Sequence, residues 1–214
     1  MPTPHTRVHL LRHGEVFNPE KILYGRLPGF LLSELGHRMA AMAAEALAGH
    51  DIVHLVSSPL ERAQQTAQPL VELTGLGLTL DDRVIEASNL FEGRAVAGGQ
   101  GLLRLQHLPL ARNPFRPSWG EPYTEIRDRM IPAILAARDA ATGHEAVIVS
   151  HQLPIWTARM SAERRPLWHD PRRRECSLAS LTTILFDEAG TLIGTEYTEP
   201  AAPLLPIASK VAGA

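Results

Sequence analysis

Arg12-His13-Gly14-Glu15 follows directly on the apolar run Arg7 to Leu11, Ser57-Ser58 and then Arg62 follow the run Ile52 to Val56, and Ser150-His151 follows the run Ala146 to Val149. Each run is short, β-rich and nearly continuous in apolar residues, as a strand covered on both faces of a parallel sheet reads. Ligands of open α/β sheets bind beyond the carboxyl ends of the strands, so two histidines and two arginines are expected to converge on one pocket. Two guanidiniums offer forked donors to a tetrahedral dianion, and Arg62, in the first turn of its helix, is reinforced by that helix's positive end. The expectation is a phosphate site made of side chains, because the sequence has neither a GxxxxGK[ST] loop nor a GxGxxG turn.

Among these groups histidine is the natural nucleophile. A neutral imidazole attacks phosphorus while both arginines and a protonated second histidine neutralise the phosphoryl oxygens. A carboxylic acid must then protonate the leaving oxygen. Glu86, which follows a short strand predicted from Leu78, is the first candidate, and Glu15 and Glu92 compete with it. Arg26 and Arg94 are candidate contacts to the non-phosphate part of a substrate. Ser57 and Ser58 lie outside any GxSxG, which disfavours a serine hydrolase. His50 with His54 and His9 with His13 lack the context of a known metal site, and no metal is expected.

The elements that must position these groups follow from local signals. Ser33 reads as the N-cap of a helix running to about Gly49. Ser58, Pro59 and Glu61 read as cap, first position and capping-box acid of a second helix, which Pro69 kinks or shortens before Gly75. A third helix is predicted from Pro122 to about Ala141, with Ile126, Met130, Ala133 or Ile134, and Ala137 on one face. Ser177 to Leu185 and Leu192 to Tyr197 read as a hairpin around Asp187-Glu188-Ala189-Gly190. The sum is an α/β fold, a three-layer α/β/α sandwich with a mostly parallel central sheet. Residues 1–199 are expected to form one domain, with a lid or insertion at about 92–123 that holds only a short helix over Gly101 to Leu110; residues 200–214 read as a loose tail. Tyr24, Phe30, Phe91 and Trp119 are expected in a pocket wall or satellite core, and Arg172 to Arg174 on a solvated surface.

RHGE (Arg12 to Glu15), Asn18, SSPLERAQQTA (Ser57 to Ala67), Glu86 followed by FEG (Phe91 to Gly93), and VSHQ (Val149 to Gln152) together resemble the histidine phosphatase superfamily, the phosphoglycerate-mutase-like enzymes. The resemblance spans roughly Val8 to Leu185. It implies that His13 is phosphorylated, that Arg12, Arg62 and His151 bind the phosphoryl group, that Glu86 donates the proton and later activates water, and that Asn18 lines the site, with no metal or other cofactor. Val16, Asn89, Phe91 and Gln152 depart from residues common at those places, and none of them removes a catalytic group. Glu86 and His151 stand 65 positions apart, which favours the hydrolytic branch over mutases with a longer intervening insertion. The expected function is therefore phosphomonoester hydrolysis on a small phosphorylated substrate. Phosphoglycerate-mutase-type transfer and a non-catalytic phosphate-binding module are the rivals.

Composition sets the outer bounds. With 44% hydrophobic residues over 214 positions the chain can bury one sizeable core. Its 21 Lys+Arg against 23 Asp+Glu leave −2, which offers nucleic acid or an acidic membrane no electrostatic footprint. One cysteine, Cys176, forms no intrachain disulfide, and no run approaches the ~20 apolar residues of a membrane span. A cytoplasmic location is expected, and nothing speaks to the oligomeric state.

Overall fold

The computed structural model describes residues 5–94 and 120–209. The expected 101–110 helix, most of the 92–123 insertion, Trp119 and the last residues of the tail lie outside them. β1 (Thr6–Arg12), β2 (Ile52–Ser57), β3 (Leu78–Leu80) and β4 (Glu145–Ser150) run parallel, and the hairpin of β5 (Leu181–Phe186) and β6 (Leu192–Thr198) extends one edge antiparallel. The order in this six-stranded sheet is β3-β2-β4-β1-β5-β6. Arg12 pairs with Ser150 and Ser57 with Val149, so the carboxyl ends of β1, β2 and β4 finish level with one another.

Helices cover both faces, giving the three layers. α1 (Glu34–Ala46) and α2 (Glu61–Thr74) bury Met39, Ala43, Ala63, Ala67 and Leu70 against Leu11, Leu55, Val147 and Val149. α3 (Tyr123–Ala140) and α4 (Gln152–Ala162) bury Ile126, Met130, Ile134, Ile155 and Ala158 against Val8, Leu10, Ala146 and Ile148. Successive strand residues thus serve opposite cores, which is why the strands read as continuous rather than alternating. No helix among the described residues is long and apolar enough to cross a membrane.

Four local expectations need correction. α2 starts two residues later than the capping-box reading: Leu60 is the N-cap and makes no side-chain cap, and Ser58 Oγ lies 3.4 Å from Leu60 N. The Ser58 hydroxyl instead meets a buried histidine ring, described below, and Glu61 accepts from the Gly29 N–H at 3.1 Å. Pro69 does not shorten α2, which continues past it to a left-handed Gly75 cap. The β5 strand begins only at Leu181, because the preceding turn folds over the loop that follows β1, with Ser180 O accepting from Arg12 N and Ala179 N donating to His13 O. The tail forms a 3-10 turn over Ala202–Ile207, whose Leu204 is buried against the α1 and α2 side of the sheet.

Candidate active site

Backbone bonds knit the three strand ends into one rim. His13 N donates to Ser150 O (3.1 Å) and Ser58 N to Val149 O (2.9 Å). From this rim project His13, Arg12, Arg62 at the second position of α2, and His151, which immediately precedes α4. Gly14 and Gly36 let the first turn of α1 lie directly on the His13 loop: a Cβ on Gly36 would stand 2.0 Å from Glu15 O. Ser33 caps α1 by accepting from Gly36 N and donates its hydroxyl to the Glu15 carboxylate, which therefore serves the α1 entry.

The His13 and His151 rings lie 5.1 Å apart, both buried. His13 Nδ1 donates to the Gly14 carbonyl at 2.8 Å, which fixes the proton there and leaves the Nε2 lone pair free. Burial, then the Arg62 and Arg12 charges, hold the His13 pKa well below the usual histidine value, so the ring is a neutral base. His151 Nε2 meets Ser58 Oγ at 2.8 Å, while its Nδ1 has no hydrogen-bond partner among the described residues. Burial first, then Arg62 and His13, lower its pKa as well.

Arg62 is completely buried, its Cζ 4.8 Å from the Tyr24 ring centroid, and Tyr24 in turn stacks on Phe30. One Arg62 nitrogen donates to Gly25 O (2.6 Å), and Nε and NH1 have no partner among the described residues. Arg12 similarly donates NH1 to Cys176 O (2.6 Å) and leaves Nε unpaired. Buried guanidinium donors without acceptors are costly, and an anion placed between them removes that cost. Glu86 closes the pocket from the loop after the Asp82–Val84 turn. Its Oε1 accepts from Ala87 N (2.8 Å), and burial raises its pKa above the usual carboxylate value against the pull of that N–H, Arg62 and Arg12. A buried carboxyl that holds its proton more tightly than usual thus stands with two buried imidazoles, beside two guanidiniums that each keep donors without an acceptor among the described residues.

The sequence of residues 8–196 matches the family described as Histidine phosphatase superfamily (branch 1). This chain belongs to that superfamily. A Mycobacterium tuberculosis (strain H37Rv) relative named "Uncharacterized protein Rv0525" is 52% identical over 198 residues, which cover 92% of this chain and 98% of that protein. A "Probable phosphoglycerate mutase GpmB" of Yersinia pestis (strain Pestoides F) is 29% identical over 181 residues, 81% of this chain and 83% of its own. Among solved structures, "Mycobacterial hydrolase 1" superposes with a TM-score of 0.73 at 26% identity, covering 89% of this chain and 95% of that one. The mycobacterial glucosyl-3-phosphoglycerate phosphatase Rv2419c in complex with VO3 superposes with a TM-score of 0.70 at 26% identity, covering 90% and 97%.

His13, Arg12, Arg62, His151 and Glu86 thus stand together at the carboxyl ends of the strands. Asn18 spends its amide on its own loop, donating to Ile22 O and accepting from Ile22 N. Arg26 donates Nε to the Glu86 carbonyl (2.6 Å) and NH2 to Glu121 (2.9 Å), so it grips the backbone of the acid. Arg129, which sequence reasoning missed, binds Glu121 with two nitrogens and donates to the carbonyls of Arg83 and Ile85. Ser150 Oγ donates to Val84 O, tying the same loop to β4. Glu92 accepts from Asn89 N at 3.2 Å. Away from the pocket, toward the amino ends of β1 and β4, His9 and His50 both reach Glu145 Oε2 (2.8 and 2.6 Å), a pairing that their spacing in the sequence does not disclose.

Proposed function

We propose that this histidine phosphatase superfamily member is a phosphomonoester hydrolase working through a phosphohistidine at His13. The observation that carries the reading is the His13 ring, its proton parked on Nδ1 against Gly14 and its Nε2 lone pair presented beside Arg12 and Arg62 donors that have no protein acceptor among the described residues. Nε2 attacks phosphorus and the P–O bond to the leaving group breaks. Arg12, Arg62 and the free Nδ1 of His151 take the phosphoryl oxygens, and a dianion at that point opposes the burial and the Arg62 charge that lower the His151 pKa. Glu86 gives its proton to the leaving oxygen. In the second half, the Glu86 carboxylate takes a proton from water, the hydroxide oxygen bonds to phosphorus, the P–N bond breaks, and inorganic phosphate leaves with His13 free again. Arg26, Arg129 and Glu121 position Glu86 throughout.

The test is release of p-nitrophenol from p-nitrophenyl phosphate by EDTA-treated protein beside a His13→Ala variant, with acid-labile label on the chain followed after radiolabelled substrate. Turnover and labelling by wild type alone support the reading. Turnover by both proteins removes His13 as nucleophile. Phosphoryl transfer, the activity named for the 29%-identical Yersinia relative, takes over if wild type becomes labelled yet releases no phosphate to water; phosphate binding without either signal leaves a non-catalytic module.

A further inference from the structure

Of the three consecutive arginines expected on a solvated surface, Arg172 and Arg173 are exposed, and Arg172 pairs with Asp170. Arg174 turns inward between α4 and β5. Its Nε donates to His169 Nε2 (2.8 Å) and its NH1 to Gln152 Oε1 (3.4 Å). His169 is itself fixed: Nδ1 donates to Leu167 O (2.7 Å), so Nε2 carries the lone pair, and the ring lies against Tyr123 and Trp156. Gln152, next to His151, donates to Cys176 O (3.3 Å), the same carbonyl that holds Arg12. Arg174 is therefore linked through one glutamine and one carbonyl oxygen to the phosphate ligand Arg12. Glu86, Tyr123 and Arg12 are among the groups whose charges act on it.

Both side-chain partners of Arg174 are neutral, so they aim the guanidinium without balancing its charge. Among the described arginines that are not exposed, every other one except Arg12 and Arg62 has a carboxylate within salt-bridge distance: Arg7 and Glu145, Arg26 and Arg129 with Glu121, Arg127 with Asp128, Arg138 with Asp139, Arg159 with Glu163. Arg12 and Arg62 are left unpaired because a phosphoryl dianion completes them. That dianion offsets the two of them, whereas Arg174, within electrostatic reach of Glu86 and Arg12, is left with no carboxylate at salt-bridge distance among the described residues.

We propose that Arg174, aimed by His169 and Gln152, is a second anion subsite, and that the substrate carries a second acidic group, a carboxylate or a second phosphate, on its leaving-group portion. This rests on the phosphatase reading of the same pocket. The probe is a matched series of monoalkyl phosphates of increasing chain length that end in a methyl, a carboxylate or a second phosphate. Wild type is expected to favour an acid-ended member over its methyl-ended partner by about tenfold or more in kcat/KM, chiefly through KM, as an added charge-assisted contact gives. The chain length of greatest preference reads the span to Arg174, and the carboxylate and phosphate series separate the two sources. Arg174→Gln is expected to reduce the acidic-to-neutral ratio by about 10- to 100-fold, and Arg174→Lys to restore part of it. No preference in wild type, or an equal loss on both members of a pair in Arg174→Gln, overturns the subsite. Calorimetric titration of His13→Ala and His13→Ala/Arg174→Gln with the same compounds needs no turnover. Tighter binding of the acid-ended compounds that disappears in the double variant supports the subsite even if no phosphate is ever released, whereas equal binding of acidic and neutral members overturns it.

Discussion

Glu86 Oε2 and His151 Nδ1 face each other across 3.9 Å, both buried and neither hydrogen-bonded to any other described residue. The gap is too wide for a direct hydrogen bond and suits a pair that meets through a substrate oxygen. Glu86→Gln keeps the shape and removes the proton. Its kcat on an alkyl phosphate, whose leaving oxygen needs protonation, is expected to fall by about 10²- to 10⁴-fold, and by much less on p-nitrophenyl phosphate, whose leaving group departs as an anion. Equal losses on both substrates would falsify the assignment of Glu86 as proton donor.

The directions of the pKa shifts predict the pH profile. The nucleophile works deprotonated, and burial with Arg62 and Arg12 lowers the His13 value below 6.5, so the acid limb lies below pH 6.5. The acid works protonated, and burial raises Glu86 above 4.5, so the alkaline limb begins above pH 4.5. Plotting kcat/KM for an alkyl phosphate against pH is expected to give a bell whose alkaline limb is absent in Glu86→Gln. A profile still rising above pH 7 in wild type would contradict His13 as the nucleophile, and an alkaline limb that persists in Glu86→Gln would contradict Glu86 as the acid.

The strands were legible because β1, β2 and β4 are buried on both faces and leave continuous apolar runs, and α3 was legible because one face is apolar. α4 was missed for the opposite reason: Pro154, Ile155, Trp156, Thr157, Ala158 and Met160 are all buried, so no polar face marks the helical period. The five residues of the proposed site could be placed because strand ends and a helix start fix them locally. The cage around Glu86 could not, since Arg26 and Glu121 lie 95 positions apart and only folding brings them together. Ser58 reads as a cap because a serine before a helix is a strong cap signal, and only tertiary contact reveals its partner in His151.

That contact predicts a specific phenotype. Ser58→Ala leaves His151 Nε2 without its one hydrogen bond, freeing the ring to rotate or change tautomer. A loss of about tenfold in kcat is expected, the rate equivalent of one buried hydrogen bond, with KM little changed. Ser58→Thr, which keeps the hydroxyl, is expected to retain most of the rate. If Ser58→Ala instead lowers only the thermal midpoint, the serine serves folding and not His151.

Gly36 is where packing of the α1 layer touches the chemistry. A Cβ there would lie 2.0 Å from Glu15 O and 3.0 Å from Glu15 N, both backbone atoms, so the first turn of α1 and the His13 loop must separate to admit it. Gly14 sits in that loop, and its carbonyl fixes the His13 tautomer, so separation costs both stability and nucleophile alignment. Gly36→Ala is expected to destabilise the protein by about 1–3 kcal/mol, as overpacking does, and to depress kcat further than the folded fraction explains. Gly77 is the control: an added Cβ meets nothing within 4 Å, so Gly77→Ala should leave stability unchanged or slightly raised by the stiffer unfolded chain. Thermal unfolding and kcat measured side by side decide it, and equal behaviour of the two variants would remove the argument that α1 holds the His13 loop through backbone contact.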